Sequence, residues 1–130
     1  IDQLGAFTAG TSLTTLATPT RIADSRPGPI AAGSSVTVVG SPSGSGANFV
    51  PSGALGVVGN LSDINPTGQG YLVTYPAGGA LPGTASIANF PAQTRSTNSV
   101  VALNPSNGSF SVYAGGASTN STYDVSAYIK

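Results

Sequence analysis

Apolar and polar positions change over in short runs along this chain, and the runs are too short for helices. Stretches rich in Val, Thr, Tyr, Ile and Phe are bounded every few residues by turn formers, and eighteen glycines and ten prolines supply most of the punctuation. No window of 11–18 residues carries a helical period with good helix formers, and Glu is absent. The pattern predicts strands at 3–9, 34–39, 55–64, 70–75, 84–90, 97–104, 109–114 and 120–129. Their links are turn chemistry: NPTGQG at 65–70, PAGGALPG at 76–83, NPSNG at 104–108 and AGGAST at 114–119. In the first of these, Pro66 presets φ, and Gly68 and Gly70 can take positive φ. In the third, Asn107–Gly108 suits a tight hairpin turn. SPSGSGANFVPSG at 41–53 reads as a long mobile loop. With no internal repeat of 20–50 residues, the expected fold is all-β: a single antiparallel β-sandwich of about eight short strands with Gly/Pro-rich loops.

Composition narrows the function classes. At 130 residues the chain reads as one domain able to bury a core. Charged residues make up 6% of it and the net charge is zero, against about 25% charged in ordinary soluble domains. With no basic patch to neutralise phosphates, nucleic acid is excluded as a partner. With no apolar run of about 18 residues, membrane insertion by a helix is excluded too. Cys, His, Met and Trp are all absent, so disulfides and thiol chemistry are unavailable. Low charge combined with abundant Ser, Thr, Asn and Gly points to a secreted or cell-surface protein. The sequence opens directly on IDQLGAF, as expected if a signal peptide has been cleaved or precedes the part given. Near-zero net charge also removes the repulsion that keeps proteins apart, which makes other copies of the chain the first candidate partner.

Of four basic and four acidic residues, three fall in TPTRIADSRPGP: Arg21, Asp24 and Arg26. A carboxylate between two guanidinium groups is held ionised and makes a poor general acid or base. The cluster therefore reads as an internal ion-pair staple, with Asp24 and Asp124 as acceptors and Asp63 as a third. Losing one partner of a buried pair costs about 3–5 kcal/mol. The four aspartates are scattered singletons, unlike the closely spaced carboxylates of a calcium loop. Without Cys or His a typical zinc site is also ruled out. Gly44-Ser45-Gly46 lacks a strand–turn–helix setting, and without His no Ser-His-Asp triad can form. The expectation is no enzyme activity, no metal and no cofactor. Tyr71, Tyr75, Tyr113, Tyr123 and Tyr128 stand at strand spacing; they read as half-buried sheet residues or, alternatively, as a sugar-stacking platform. Asn60, Asn107 and Asn120 head Asn-x-Ser/Thr sequons, and Asn107 lies in a turn.

Five segments in register resemble a domain of secreted and cell-surface proteins of actinobacteria and related bacteria. They are PTRIADSR at 19–26, GNLSDINPTGQGYLVTYPAG at 59–78, SIANFPAQTRSTNSVV at 86–101, GSFSVY at 108–113 and DVSAY at 124–128. The similarity covers roughly residues 18–130 and implies a secreted β-sandwich module without catalytic activity. Gly59 and Asp63 stand where that family carries large apolar residues, so their strand is either less firmly packed or makes a different contact. Residues 1–17 have no counterpart.

The chain is thus expected to comprise an N-terminal extension or first strand at 1–17 and a sandwich at 18–130. The leader IDQLGAFTAGTSLTTLA has no positive charge and is apolar enough to pair. It serves either as the first strand of its own sandwich or as a strand donated to a neighbour, with Leu4, Ala6, Phe7, Leu13 and Leu16 as anchors. The leading expectation is a non-enzymatic, self-associating extracellular structural protein, a cell-surface or filament subunit. The alternative is a carbohydrate-binding, lectin-like module that recognises surface glycans.

Overall fold

The computed structural model describes residues 9–40, 46, 49–83 and 85–130. Among them there is no helix, and eight strands form two four-stranded antiparallel sheets. They are β1 (Leu13–Asp24), β2 (Ser34–Val39), β3 (Gly56–Ile64), β4 (Gly70–Pro76), β5 (Ala88–Phe90), β6 (Arg95–Ala102), β7 (Ser109–Gly115) and β8 (Asn120–Ile129). The sheet orders are β1-β8-β3-β6 and β2-β7-β4-β5. The expected all-β sandwich is therefore present, with jelly-roll connectivity: first strand beside last, second beside seventh, third beside sixth, fourth beside fifth.

Among the described strands only β4 and β5 are both consecutive in the chain and paired; every other link between them crosses between the sheets. Short links in the sequence look the same whether they close a hairpin or turn a corner. Asn107–Gly108 is such a case. Gly108 has φ +66° and its N–H donates to the Asn104 carbonyl at 2.8 Å, but the turn carries the chain from one sheet to the other. In the 65–70 link the positive φ falls on Asn65 (50°) rather than on Gly68 or Gly70. Gly70 is needed for close approach instead: a Cβ there would lie 2.3 Å from the Gly115 carbonyl oxygen and 2.8 Å from the Phe90 ring.

β1 is the largest departure from the sequence pattern. It spans the boundary expected at residues 17 and 18 and contains Pro19, Arg21 and Asp24, with Arg26 just beyond its end. Proline normally counts against a strand. Here β1 is an edge strand, and its pairing with β8 is interrupted between Thr15 and Thr20, where Pro19 sits, and again between Arg21 and Ala23. The strand expected at 3–9 falls, up to residue 8, outside the described residues, as do 41–45, 47 and 48 of the long loop. The strand expected at 84–90 is shorter, Ala88–Phe90.

The core lies between the sheets. Val57, Leu61, Val101, Tyr123 and Val125 from one sheet meet Leu72, Phe90, Phe110, Val112 and Ala114 from the other. Tyr123 is fully buried and touches Phe110 edge-on, with ring centroids 5.3 Å apart. Its hydroxyl donates to the Ser99 carbonyl at 3.2 Å and accepts from Ser99 Oγ at 3.1 Å. Burial pushes this phenol up to about 12. Gly59 makes room for the ring, since a Cβ there would stand 2.8 Å from Tyr123 Cε1 and 2.3 Å from the Asp124 carbonyl oxygen. The absence of a side chain at Gly59 thus admits a tyrosine from the neighbouring strand.

Candidate functional site: an open sandwich edge beside an exposed ion-pair strip

The charged cluster assembles as the sequence indicates, but on the surface rather than inside. Arg21 and Asp124 are register partners on β1 and β8. Arg21 Nε and Nη2 reach the two Asp124 carboxylate oxygens at 2.7 and 2.9 Å. Arg26 donates to Asp24 from Nε at 2.8 Å, from Nη2, and from its backbone N–H at 3.1 Å. Arg21 Nη1 lies 3.6 Å from Asp24 Oδ2 and joins the two pairs. The side chains are 28–47% exposed, so the cost expected of a buried pair does not apply; solvent and salt screen the strip. Hydrogen bonds from Arg26 hold the Asp24 carboxyl well below its usual range, and those from Arg21 lower Asp124. Neither carboxylate can exchange protons near neutral pH.

Asp63 takes no part in this strip. It is fully buried on β3, where Oδ2 accepts from the Arg95 N–H at 3.2 Å and Oδ1 has no partner among the described residues. Desolvation raises its pKa despite that hydrogen bond. A raised native pKa means that the fold favours the protonated acid. The stabilising contribution is complete below the ordinary carboxylate value of about 4 and is lost as pH rises through the raised one. Asp63→Asn is therefore expected to raise the melting temperature at neutral pH, with the gain over wild type shrinking toward pH about 4. Comparing the two proteins at each pH cancels the opposite trend of Asp24 and Asp124. A constant difference across the titration would show that Asp63 ionisation does not matter.

The sequons separate. Asn107 is exposed in its turn, Asn60 is half-buried on β3, and Asn120 is half-buried on β8 with a buried Oδ1 that lacks a partner among the described residues. Among the described residues no group of three or more His, Cys, Asp or Glu side chains could hold a metal. The tyrosines divide as well. Tyr123 is in the core, Tyr128 packs against it, and Tyr71, Tyr75 and Tyr113 lie together on β4 and β7. Leu13 and Leu16 belong to the chain's own first sheet, Leu16 in the core and Leu13 exposed opposite Ile129. Backbone bonds in both directions between Ser12 and Lys130 tie down the start of β1. The donated segment can then include only what precedes Ser12. Leu4, Ala6 and Phe7 lie outside the described residues.

The sequence pattern did not single out one open edge of the sandwich. Between the edges of β1 and β2 the sandwich stays unclosed over a cleft of about 480 Å³, lined mainly by Ile22, Ala23, Val36, Val38, Val39 and Val112. Val36 pairs with Val112 and Val38 with Phe110, so both valines face the core side. Val38 is buried, whereas Val36 is 37% exposed. The four sheet edges are not equally guarded. β1 has Pro19, Arg21 and two register breaks; β5 is three residues long; β6 carries Arg95. β2, SSVTVV, has six uninterrupted pairs with β7 and no charge, proline or bulge. An uncharged, Pro-free run of β-branched residues was the available signal, but only the sheet order makes it an edge.

No family model matches the chain, and neither does any curated protein or solved structure.

Proposed function

We propose that this protein is a non-enzymatic extracellular structural subunit that associates with copies of itself, the N-terminal segment of one copy adding to β2 of the next. The observation that carries the reading is the core-facing but exposed Val36 on an unguarded edge strand. An added strand would cover that valine and pair with the outward N–H and C=O groups of β2. Residues 1–8, IDQLGAFT, hold one charge and no proline. Extended, they reach about 26 Å, enough to span the roughly 20 Å of a six-residue strand. Leu4 and Ala6 fall on one side of such a strand and Phe7 on the other. A contact of this kind runs head to tail and gives an open filament unless the rotation closes. The low charge and the resemblance to a secreted module support a place outside the cell.

Deleting residues 1–8 leaves β1 to β8 intact and is expected to convert filaments of the full chain into monomers, as seen by electron microscopy and sedimentation. A synthetic peptide of residues 1–10 should then bind the shortened protein and raise its melting temperature. Polymers of the shortened protein would mean that the edges of β2 pair directly with one another. A full chain that remains monomeric would remove the structural-subunit reading.

A further inference from the structure

A second site lies on the outer face of the other half of the same sheet, at β4 and β5. Val73 stands on this face between Tyr71 and Tyr75, yet it is 1% exposed. The link between β4 and β5 lies over it. Leu81, Pro82, Gly83, Ala85 and Ser86 wall an open cleft of about 340 Å³, completed by Tyr71, Val73, Tyr113 and Asn89. Past Tyr71 and Asn89 the surface dips again into a shallow trough of about 570 Å³ beside Gln69, Gly116 and Pro91. The two depressions share Tyr71 and Asn89 and form one track along the short edge strand.

The track has a defined chemistry. Tyr71 lies across Gly115, where a Cβ would come within 2.1 Å of the ring, so one ring face is seated on the backbone of β7. With 38% of the residue exposed, the ring also faces solvent. Tyr113 is tilted 44° against it at 6.2 Å. Ser86 Oγ donates to Asn89 Oδ1 at 3.4 Å, and Asn89 is exposed. Neither tyrosine hydroxyl nor Asn89 Nδ2 has a hydrogen-bond partner among the described residues. No lining residue of either depression is charged.

We infer that this track binds a neutral oligosaccharide, with a pyranose stacked on Tyr71 and its hydroxyls bonded to Asn89, Gln69 and the tyrosine hydroxyls. A pyranose has an apolar C–H face that suits a fixed aromatic ring and a rim of hydroxyls that suits uncharged amides and phenols. An anionic ligand would find no cation here, and a cationic one no carboxylate. The elongated track favours several linked sugars over one. The site is independent of the β2 edge and does not require that the protein polymerise.

The test is calorimetric titration of the full-length protein with hexasaccharides of β-1,4-glucose, β-1,4-N-acetylglucosamine, β-1,4-xylose and α-1,6-mannose, and with a proline decamer. At least one sugar is expected to bind saturably. Tyr71→Ala and Asn89→Ala should each weaken that binding about tenfold or more, a change of about 1.4 kcal/mol. Both positions are exposed, so melting should change little. Gly115→Ala should also weaken binding by lifting the Tyr71 ring. Tyr75→Ala, which removes the partner of Ser35 outside the cleft, should leave it unchanged. Binding of the proline decamer alone, sugar binding that survives both Tyr71→Ala and Asn89→Ala, or no saturable sugar binding at millimolar concentration would each overturn the assignment.

Discussion

Gly59→Val is expected to destabilise the fold by about 3–5 kcal/mol, most of the margin of a small domain at the low end of the usual range. The first atom added at Gly59 would sit 2.3 Å from the Asp124 carbonyl oxygen, which is backbone in the paired strand and cannot swing aside. The next obstacle is the Tyr123 ring at 2.8 Å. That ring is confined by Phe110 and by its two hydrogen bonds to Ser99, so moving it leaves buried polar groups unpaired. Overpacking of about 1–3 kcal/mol therefore adds to the loss of the Ser99–Tyr123 bonds. For a chain of this size the melting point should fall by roughly 10–20 °C. Gly83→Ala is the control, because nothing lies within 4 Å of a Cβ there and its φ is ordinary. Equal melting points for the two variants would show that β3 and β8 are not packed as described.

Val36→Lys is expected to abolish assembly of the full chain while leaving the monomer folded. Val36 faces the interior side of the sandwich but is 37% exposed, so a lysine there can extend its ammonium group through the open cleft into water. In a polymer the same lysine would meet the apolar side chains of the incoming strand, where an unpaired charge is costly. Inward charges on edge strands are a common guard against edge pairing, and β2 lacks one. The expected readings are a melting temperature close to that of monomeric wild type, no filaments in micrographs, and no binding of the leader peptide. Val39→Lys, on the opposite face of β2, should weaken assembly less. Filaments formed by Val36→Lys would place the contact elsewhere on the surface.

The sequence by itself determined the fold class and much of the strand layout. β2 and β8 fall on their expected residues, and β3, β4 and β7 lie within one of theirs at each end. β-branched and aromatic runs cut by Gly and Pro leave few alternatives, because alternation along a strand is a local property. The charged cluster was legible for a similar reason: in a chain with eight charged residues, Arg21, Asp24 and Arg26 have few possible partners. Only the tertiary structure decided the rest. Sheet order converts hairpin-sized links into crossings between layers, and short loops do not encode which sheet a strand joins. It also makes Leu13–Asp24 a strand despite Pro19, because an edge needs only one paired side. It sets the ion pairs on the surface, although their clustering in so uncharged a chain points to an internal staple. Above all, it sets SSVTVV at an unguarded edge with Val36 uncovered and lays Tyr71 over Gly115 beside Asn89. Both surfaces arise from residues far apart in the chain, and long-range pairing is what one-dimensional patterning cannot express.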